Sequence, residues 1–326
     1  MSGQYRSVQS ILVSLCGVGL ILSACAPPPP LPATAPAQSS GPQITPATQS
    51  GDYTTPLDSV PDPVGQTIYF TAQNSKGKGV FKVIATGGAA SEVFVGAPFI
   101  SPTGVGMAPD GKQMFVADPQ ANQIFAVAIA QGSNPSPTTL AASNGATPRG
   151  MDVVSENGQT SIYFSGKDPQ DGQPAVFKLA GMDKLSIITK GAPLVEPDGI
   201  AVAPDGTVYV ADRAAAGDGF GTVFKIKEGV VSALVAKVRT GNPAGIALTQ
   251  DGSTLLVSAF QPDGKSDQVL VVNTATGESA SVTDVVGKNS AAGGVHRAHT
   301  LNEFSWIDST SPCEGNARGC IYRVRP

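Results

Sequence analysis

The chain has 326 residues, 14% of them charged, 38 glycines and a formal net charge of -4. So low a charged fraction, with no basic stripe and no basic-aromatic pattern, removes nucleic acid from the candidate partners. The glycine content fits a turn-rich all-β chain, and no long helical period is evident beyond the N-terminus.

The first element is a leader. Arg6 precedes an apolar run over residues 11–22, which is too short for a comfortable membrane span and has the layout of a secretory signal. It ends in Leu22-Ser23-Ala24-Cys25. These residues resemble the lipobox of bacterial lipoproteins, and the resemblance implies cleavage before Cys25 and a lipid on its thiol. Residues 1–24 are then the signal peptide. The expected partner is a membrane, reached through that lipid, and the expected location is the bacterial envelope, outside the cytoplasm. Ala26 replaces the aspartate that retains many lipoproteins at the inner membrane, which points to the outer membrane if the organism is Gram-negative.

Residues 25–52 form the next segment, rich in Pro, Ala, Thr, Ser and Gln from Pro27-Pro28-Pro29-Pro30 onward. Such a composition buries little and reads as a spacer. At about 3.1 Å per residue in polyproline II, it reaches up to about 75 Å from the bilayer.

Residues 53–326 are repetitive. Gly104, Gly150, Gly199, Gly245 and Gly294, each two places after a proline or its counterpart, recur at spacings of 46, 49, 46 and 49, and Leu57 stands 47 residues before the first. A second marker runs in parallel through Val80-Phe81-Lys82-Val83, Ile124-Phe125-Ala126-Val127, Val176-Phe177-Lys178-Leu179, Val223-Phe224-Lys225-Ile226, Val269-Leu270-Val271-Val272 and Ile321-Tyr322-Arg323-Val324. A repeat of this length, made of short strands and turns, is one four-stranded blade, so six of them predict a six-bladed β-propeller. The clearest copy runs from Pro197 to Asp212. Ile200 and Val202 alternate with alanines in an innermost strand, Pro204-Asp205-Gly206 makes a tight turn, and residues 207–211 form the second strand. Only two residues follow Val324, so the sixth blade lacks an outermost strand, and residues 43–54 are expected to supply it and close the ring.

On the lipobox resemblance Cys16 would leave with the signal and Cys25 would carry the lipid, which leaves Cys313 and Cys320, of the four cysteines, as an even pair at the last blade's second hairpin. Outside the cytoplasm this pair is expected to form a local disulfide. With no histidine nearby it cannot complete a zinc site.

Ligands of propellers usually sit at the channel mouth, where the loops leading into the inner strands converge. The residues before the markers there are Pro56, Thr103, Arg149, Asp198, Ala244 and Gly293. Arg149, Asp198 and nearby Glu196, with Thr103, are the candidate ligand-binding set. The structural alternative is a set of solvated loop charges or an ion pair. His296 and His299, the only histidines, fall in the sixth inner strand, where a spacing of three puts them on opposite faces. His296 replaces residues as small as Ala201, Ala247 and Gly106, and Asp152 is the equivalent residue in the third blade. His296 reads either as a histidine packed between blades or as a general base. Asp118 and Asp212, ending second strands in Val-Ala-Asp, read as turn caps.

The sequence Pro-x-Gly-Ile-Ala-Val-x-Pro-Asp-Gly-x-Val-Tyr-Val-Ala-Asp resembles the NHL-repeat propellers and the related gluconolactonase and regucalcin-like family. The likeness extends over residues 54–326 as a repeat. In that family a divalent metal at the channel mouth is held by a first-blade glutamate, asparagines of intermediate blades and an aspartate in Pro-Asp-Gly. Asp198 matches the last of these. Thr103 and Arg149 occupy the asparagine-type places, and no glutamate lies near Pro56. An arginine beside a single aspartate opposes a cation. The expectation is therefore a propeller that binds a small molecule or an envelope protein at its mouth, without catalysis and with no cofactor. The alternative is a metal-dependent lactonase or lyase using calcium or zinc, with Asp198 as ligand or catalytic group and Glu196 or His296 assisting.

Overall fold

A computed structural model describes residues 43–130, 132–261, 266–282, 291–313 and 318–325. The signal segment, Cys25 and the spacer up to residue 42 lie outside the described residues. Six four-stranded antiparallel sheets follow one another along the chain. Their inner strands are Ser59–Pro61, Val105–Met107, Met151–Glu156, Pro197–Val202, Ile246–Leu248 and Ala292–Arg297. These are blades 1 to 6 of a propeller.

The second marker proves to be the third strand of each blade, and its aromatic residue has a physical partner. Phe81 lies directly across from Phe70, with the rings stacked at 5.7 Å, and Phe177 lies across from Phe164 at 4.9 Å. A stacked pair of this kind contributes about 0.5–1.5 kcal/mol beyond its burial. The turn predicted at Gly206 forms as expected, and turns at Gly111 and Gly252 repeat it. Gly111, Gly206 and Gly252 adopt positive φ, and each donates its N–H to a carbonyl three residues earlier.

The marker glycines have a different cause. A Cβ on Gly104 would lie 2.0 Å from the carbonyl oxygen of Arg149, one on Gly150 2.3 Å from that of Asp198, and one on Gly199 2.1 Å from that of Ala244. Each blade's backbone therefore touches the next blade's backbone around the axis, and no side chain fits between. Blade 1 departs from the expected register. Thr71 donates its N–H to Asp58 as Ala117 does to Gly104, Ser165 to Gly150 and Ser258 to Gly245. Asp58, not Leu57, thus holds the marker place, and Leu57 rather than Pro56 is the mouth residue before it. Gly294 makes the room that this side chain needs, because a Cβ there would collide with Asp58 Oδ1.

The ring closes as the missing sixth-blade strand requires. Gln43–Pro46 pairs antiparallel with the last strand, Gln43 opposite Arg325 and Ile44 opposite Val324. Thr48–Ser50 then pairs parallel with Gly88–Ala89 of blade 1. The segment from 43 to 50 therefore straddles the seam between the last and first blades. Composition alone assigns it to the spacer, yet Ile44, Ala47 and Thr48 are buried, as is Tyr53, which meets Phe70 edge-on at 5.0 Å. Beside this latch a disulfide joins Cys313 and Cys320, with Thr48 Oγ1 2.8 Å from Cys313 Sγ.

Candidate functional site

The loops leading into the inner strands are fixed by the aspartates that end the second strands. Asp118 Oδ2 accepts the N–H groups of Ile100 and Ser101, while its Oδ1 accepts those of Gln120 and Ala121. Asp212 holds Val195, Glu196 and Ala214 in the same way. Both residues act as the caps expected of them, and they set the approach to Thr103 and Asp198.

At the mouth, Thr103 donates through Oγ1 to Ala117 at 3.4 Å, and its carbonyl accepts from Thr71. Arg149 is half-buried at the start of blade 3, and its guanidinium has no hydrogen-bond or ion-pair partner among the described residues. Asp198, by contrast, is buried, with Oδ2 accepting the Ala244 N–H of the next blade at 2.9 Å. Burial is the main reason its carboxyl is pushed up to about 6, against the opposing pull of that N–H, Arg149 and Arg213. Glu196 forms an ion pair with Arg213 at 2.7 Å, and Arg213 also reaches Asn242 Oδ1 at 3.3 Å. Of the four residues chosen from the sequence as a binding set, Thr103, Asp198 and Glu196 are thus already engaged by the chain itself, and Arg149 is left available.

Deeper in the channel, residues at one level of the inner strands come together as the register predicts. Asp152, Ala201, Ala247 and His296 line a cavity of about 50 Å³, together with Arg297 and His299. That volume suits one or two waters, each filling about 30 Å³. Asp152 Oδ2 accepts the Val202 N–H of blade 4 at 2.8 Å. His296 Nε2 lies 3.1 Å from Asp58 Oδ2, which also accepts the Val105 N–H of blade 2 at 2.9 Å. Burial alone would lower the His296 pKa, but the charge and hydrogen bond of Asp58, with help from Asp152, outweigh it and raise the imidazole above its ordinary value.

His299 does not lie on the opposite face of a strand. The strand ends at Arg297, so His299 belongs to the following turn and faces the same cavity, with Nε2 2.7 Å from the Met107 carbonyl. The two rings have separate partners. Arg297 is held by backbone, donating Nε to Leu248 O and Nη1 to the carbonyls of Ala298, His299 and Leu301.

Asp58 is the residue that sequence reasoning missed. It supplies a first-blade carboxylate facing the channel, near the place where the family resemblance asks for a glutamate. Its oxygens are nevertheless taken by Ser59 N, Val105 N and His296. Among the described residues no group of three or more Asp, Glu, His or Cys could hold a metal ion. With Asp198 sealed under a backbone N–H and flanked by Arg149, these residues do not fit a calcium or zinc site.

No protein-family model matches the chain. No curated protein matches it either. Solved structures match its fold. A gluconolactonase of Xanthomonas campestris superposes with TM-score 0.61 at 16% identity, over 84% of this chain and 87% of that one. A luciferin-regenerating enzyme gives 0.59 at 16%, over 88% and 96%. A chain of a nidogen/laminin complex gives 0.60 at 14%, over 76% and 86%. Similarity to two enzymes and to a component of a protein complex at equal strength establishes a shared architecture, the six-bladed propeller with gluconolactonase-like neighbours.

Proposed function

We propose that this chain is a binding propeller, tethered to a membrane through lipid on Cys25 and displayed in the bacterial envelope, whose mouth takes an anionic group at Arg149. The ligand is a small carboxylate-bearing molecule or an acidic side chain of an envelope protein. One observation carries this reading. Around the mouth the chain's own donors already hold Asp58, Asp198 and Glu196, while the Arg149 guanidinium is half-buried and unpartnered among the described residues. The binding capacity that remains is cationic, and a partly desolvated guanidinium recognises carboxylates through two parallel hydrogen bonds. A metal cation would meet the same guanidinium as a repulsive charge.

Calorimetric titration with a panel of sugar carboxylates and short acidic peptides tests the mouth. Binding abolished by Arg149→Gln and retained in Lys112→Gln supports the reading. Stoichiometric calcium or zinc, lost in Asp198→Ala, would replace it with the metal-dependent alternative. Incorporation of labelled palmitate, abolished in Cys25→Ala, tests the tether, and its absence from the unaltered chain would refute it.

A second reading, lactone hydrolysis, is favoured by one arrangement. Asp58 and His296 form a carboxylate-imidazole pair on a fold shared with a gluconolactonase. In that reading His296 is the base and Asp58 orients it. Lactone turnover that survives chelation and is lost in His296→Gln would establish it.

A further inference from the structure

A second cluster of acids lies away from the mouth set, in the seam between blades 5 and 6. Asp267 opens the third strand of blade 5, Asp267–Asn273, and Asp308 lies in the second strand of blade 6, Phe304–Pro312. Both are buried, at 6% and 0% exposure. Asp267 Oδ1 accepts the N–H groups of Ala291 and Ala292 in blade 6, at 3.0 and 3.2 Å. Asp308 Oδ1 accepts those of Thr310 and Ser311, at 2.9 and 2.8 Å. Each carboxyl group keeps one oxygen, Oδ2, that meets no N–H or O–H donor, and the two residues are neighbours, because Ala292, which donates to Asp267, lies directly opposite Asp308 in blade 6.

Two carboxylates placed this way, out of water, cannot both carry charge. No lysine, arginine or histidine among the described residues forms an ion pair with either. The titratable groups facing them are Tyr322, on the third strand of blade 6, and Tyr53 beyond it. Burial first, and then the two aspartates, oppose ionisation of the Tyr322 hydroxyl, so it adds no positive charge and no competing anion. Cys313 and Cys320 are joined in the disulfide and do not titrate.

We propose that Asp267 and Asp308 share a single proton, Oδ2–H to Oδ2, and that this proton fastens blade 5 to blade 6 as a pH-sensitive clasp. Asp267 is well suited to hold it. Burial, followed by the hydrogen bond and charge of Asp308, pushes its carboxyl up to about 8. In the unfolded chain an aspartate titrates near 4. Between these values the folded chain binds more protons than the unfolded one, so its stability declines as pH rises through that window and levels off above about 8.

The experiment compares melting temperatures of the full chain, Asp267→Asn and Asp267→Ala between pH 5 and 9. The asparagine amide can donate to Asp308 permanently while its carbonyl keeps the bonds from Ala291 and Ala292. It should therefore melt at or above the unaltered chain at pH 8.5, with a shallower decline from pH 5, and Asp267→Ala should melt lower throughout. Asp308→Asn, which places the same amide on the other side of the pair, should repeat the result. The proposal is overturned if both asparagine variants melt below the unaltered chain at every pH or fail to fold. It is also overturned if millimolar calcium or zinc raises the melting temperature of the unaltered chain at pH 8.5 and chelation lowers it, because the pair would then be holding a cation.

Discussion

Truncating Ile44 to alanine tests the ring closure directly. Ile44 is 7% exposed, sits opposite Val324 and belongs to the same buried cluster as Trp306, Ile321 and Tyr322. Removing a buried isoleucine down to alanine costs about 2–5 kcal/mol, combining lost transfer energy with the cavity left behind. A four-residue edge strand can collapse over part of that cavity, so the lower half of the range is expected. For a domain of this size each kcal/mol moves the melting temperature by about 2–4 °C, which gives a drop of about 5–10 °C by circular dichroism. Deleting residues 43–54 also removes Tyr53, Ala47 and every hydrogen bond of the latch, and should cost most of the roughly 5–15 kcal/mol that keeps such a domain folded. Ile84→Ala, at 54% exposure, is the control and should shift the melt by no more than about 0.5 kcal/mol. Equal melts for Ile44→Ala and Ile84→Ala would mean that the N-terminal strand does not close the ring in solution.

Gly150→Ala, which forces a Cβ to 2.3 Å from the Asp198 carbonyl, should cost about 1–3 kcal/mol or more and lower the urea midpoint, since backbone rather than a flexible side chain must yield. Asp198, pushed up to about 6 by burial, makes the folded chain bind more protons between pH 4 and 6. Stability should therefore fall across that window by about 3 kcal/mol, and Asp198→Asn should remove this part of the slope in denaturant melts while leaving the contributions of Asp267 and His296. With only two histidines in the chain, an NMR titration resolves both. One should titrate above the ordinary histidine range, and Asp58→Asn should bring it down; the stability it contributes is present at acidic pH and lost as pH rises through that raised value.

Architecture was legible because it is written as a period. Gly104, Gly150 and Gly199 repeat where neighbouring backbones touch, and the third-strand aromatic stacks across its own blade in blades 1 and 3, so local pattern and ring geometry carry the same signal. The missing outer strand and the pairing of Cys313 with Cys320 followed by counting. Asp58 escaped because blade 1 has no glycine at the marker place, although Pro56 stands two places before it. The signal was its spacing, since Asp58 stands 46 residues before Gly104, as Gly104 does before Gly150. The partners of Asp198 and Asp152 belong to the following blade, 46 and 50 residues away in the chain, and the choice of bond is made by how blades dock. Nothing in one strand reports that docking. The Asp267–Asp308 pair was invisible for the same reason, because its members meet only across a seam.

The latch over residues 43–50 also has a mechanical meaning. Any tension arriving from the upstream chain is delivered first to the bonds between Gln43, Ile44 and their partners Arg325 and Val324, and next to the Thr48–Ser50 bonds with Gly88–Ala89. A pull on Gln43 therefore loads the junction of the first and last blades, while the four intervening blades bear none of it until that junction parts.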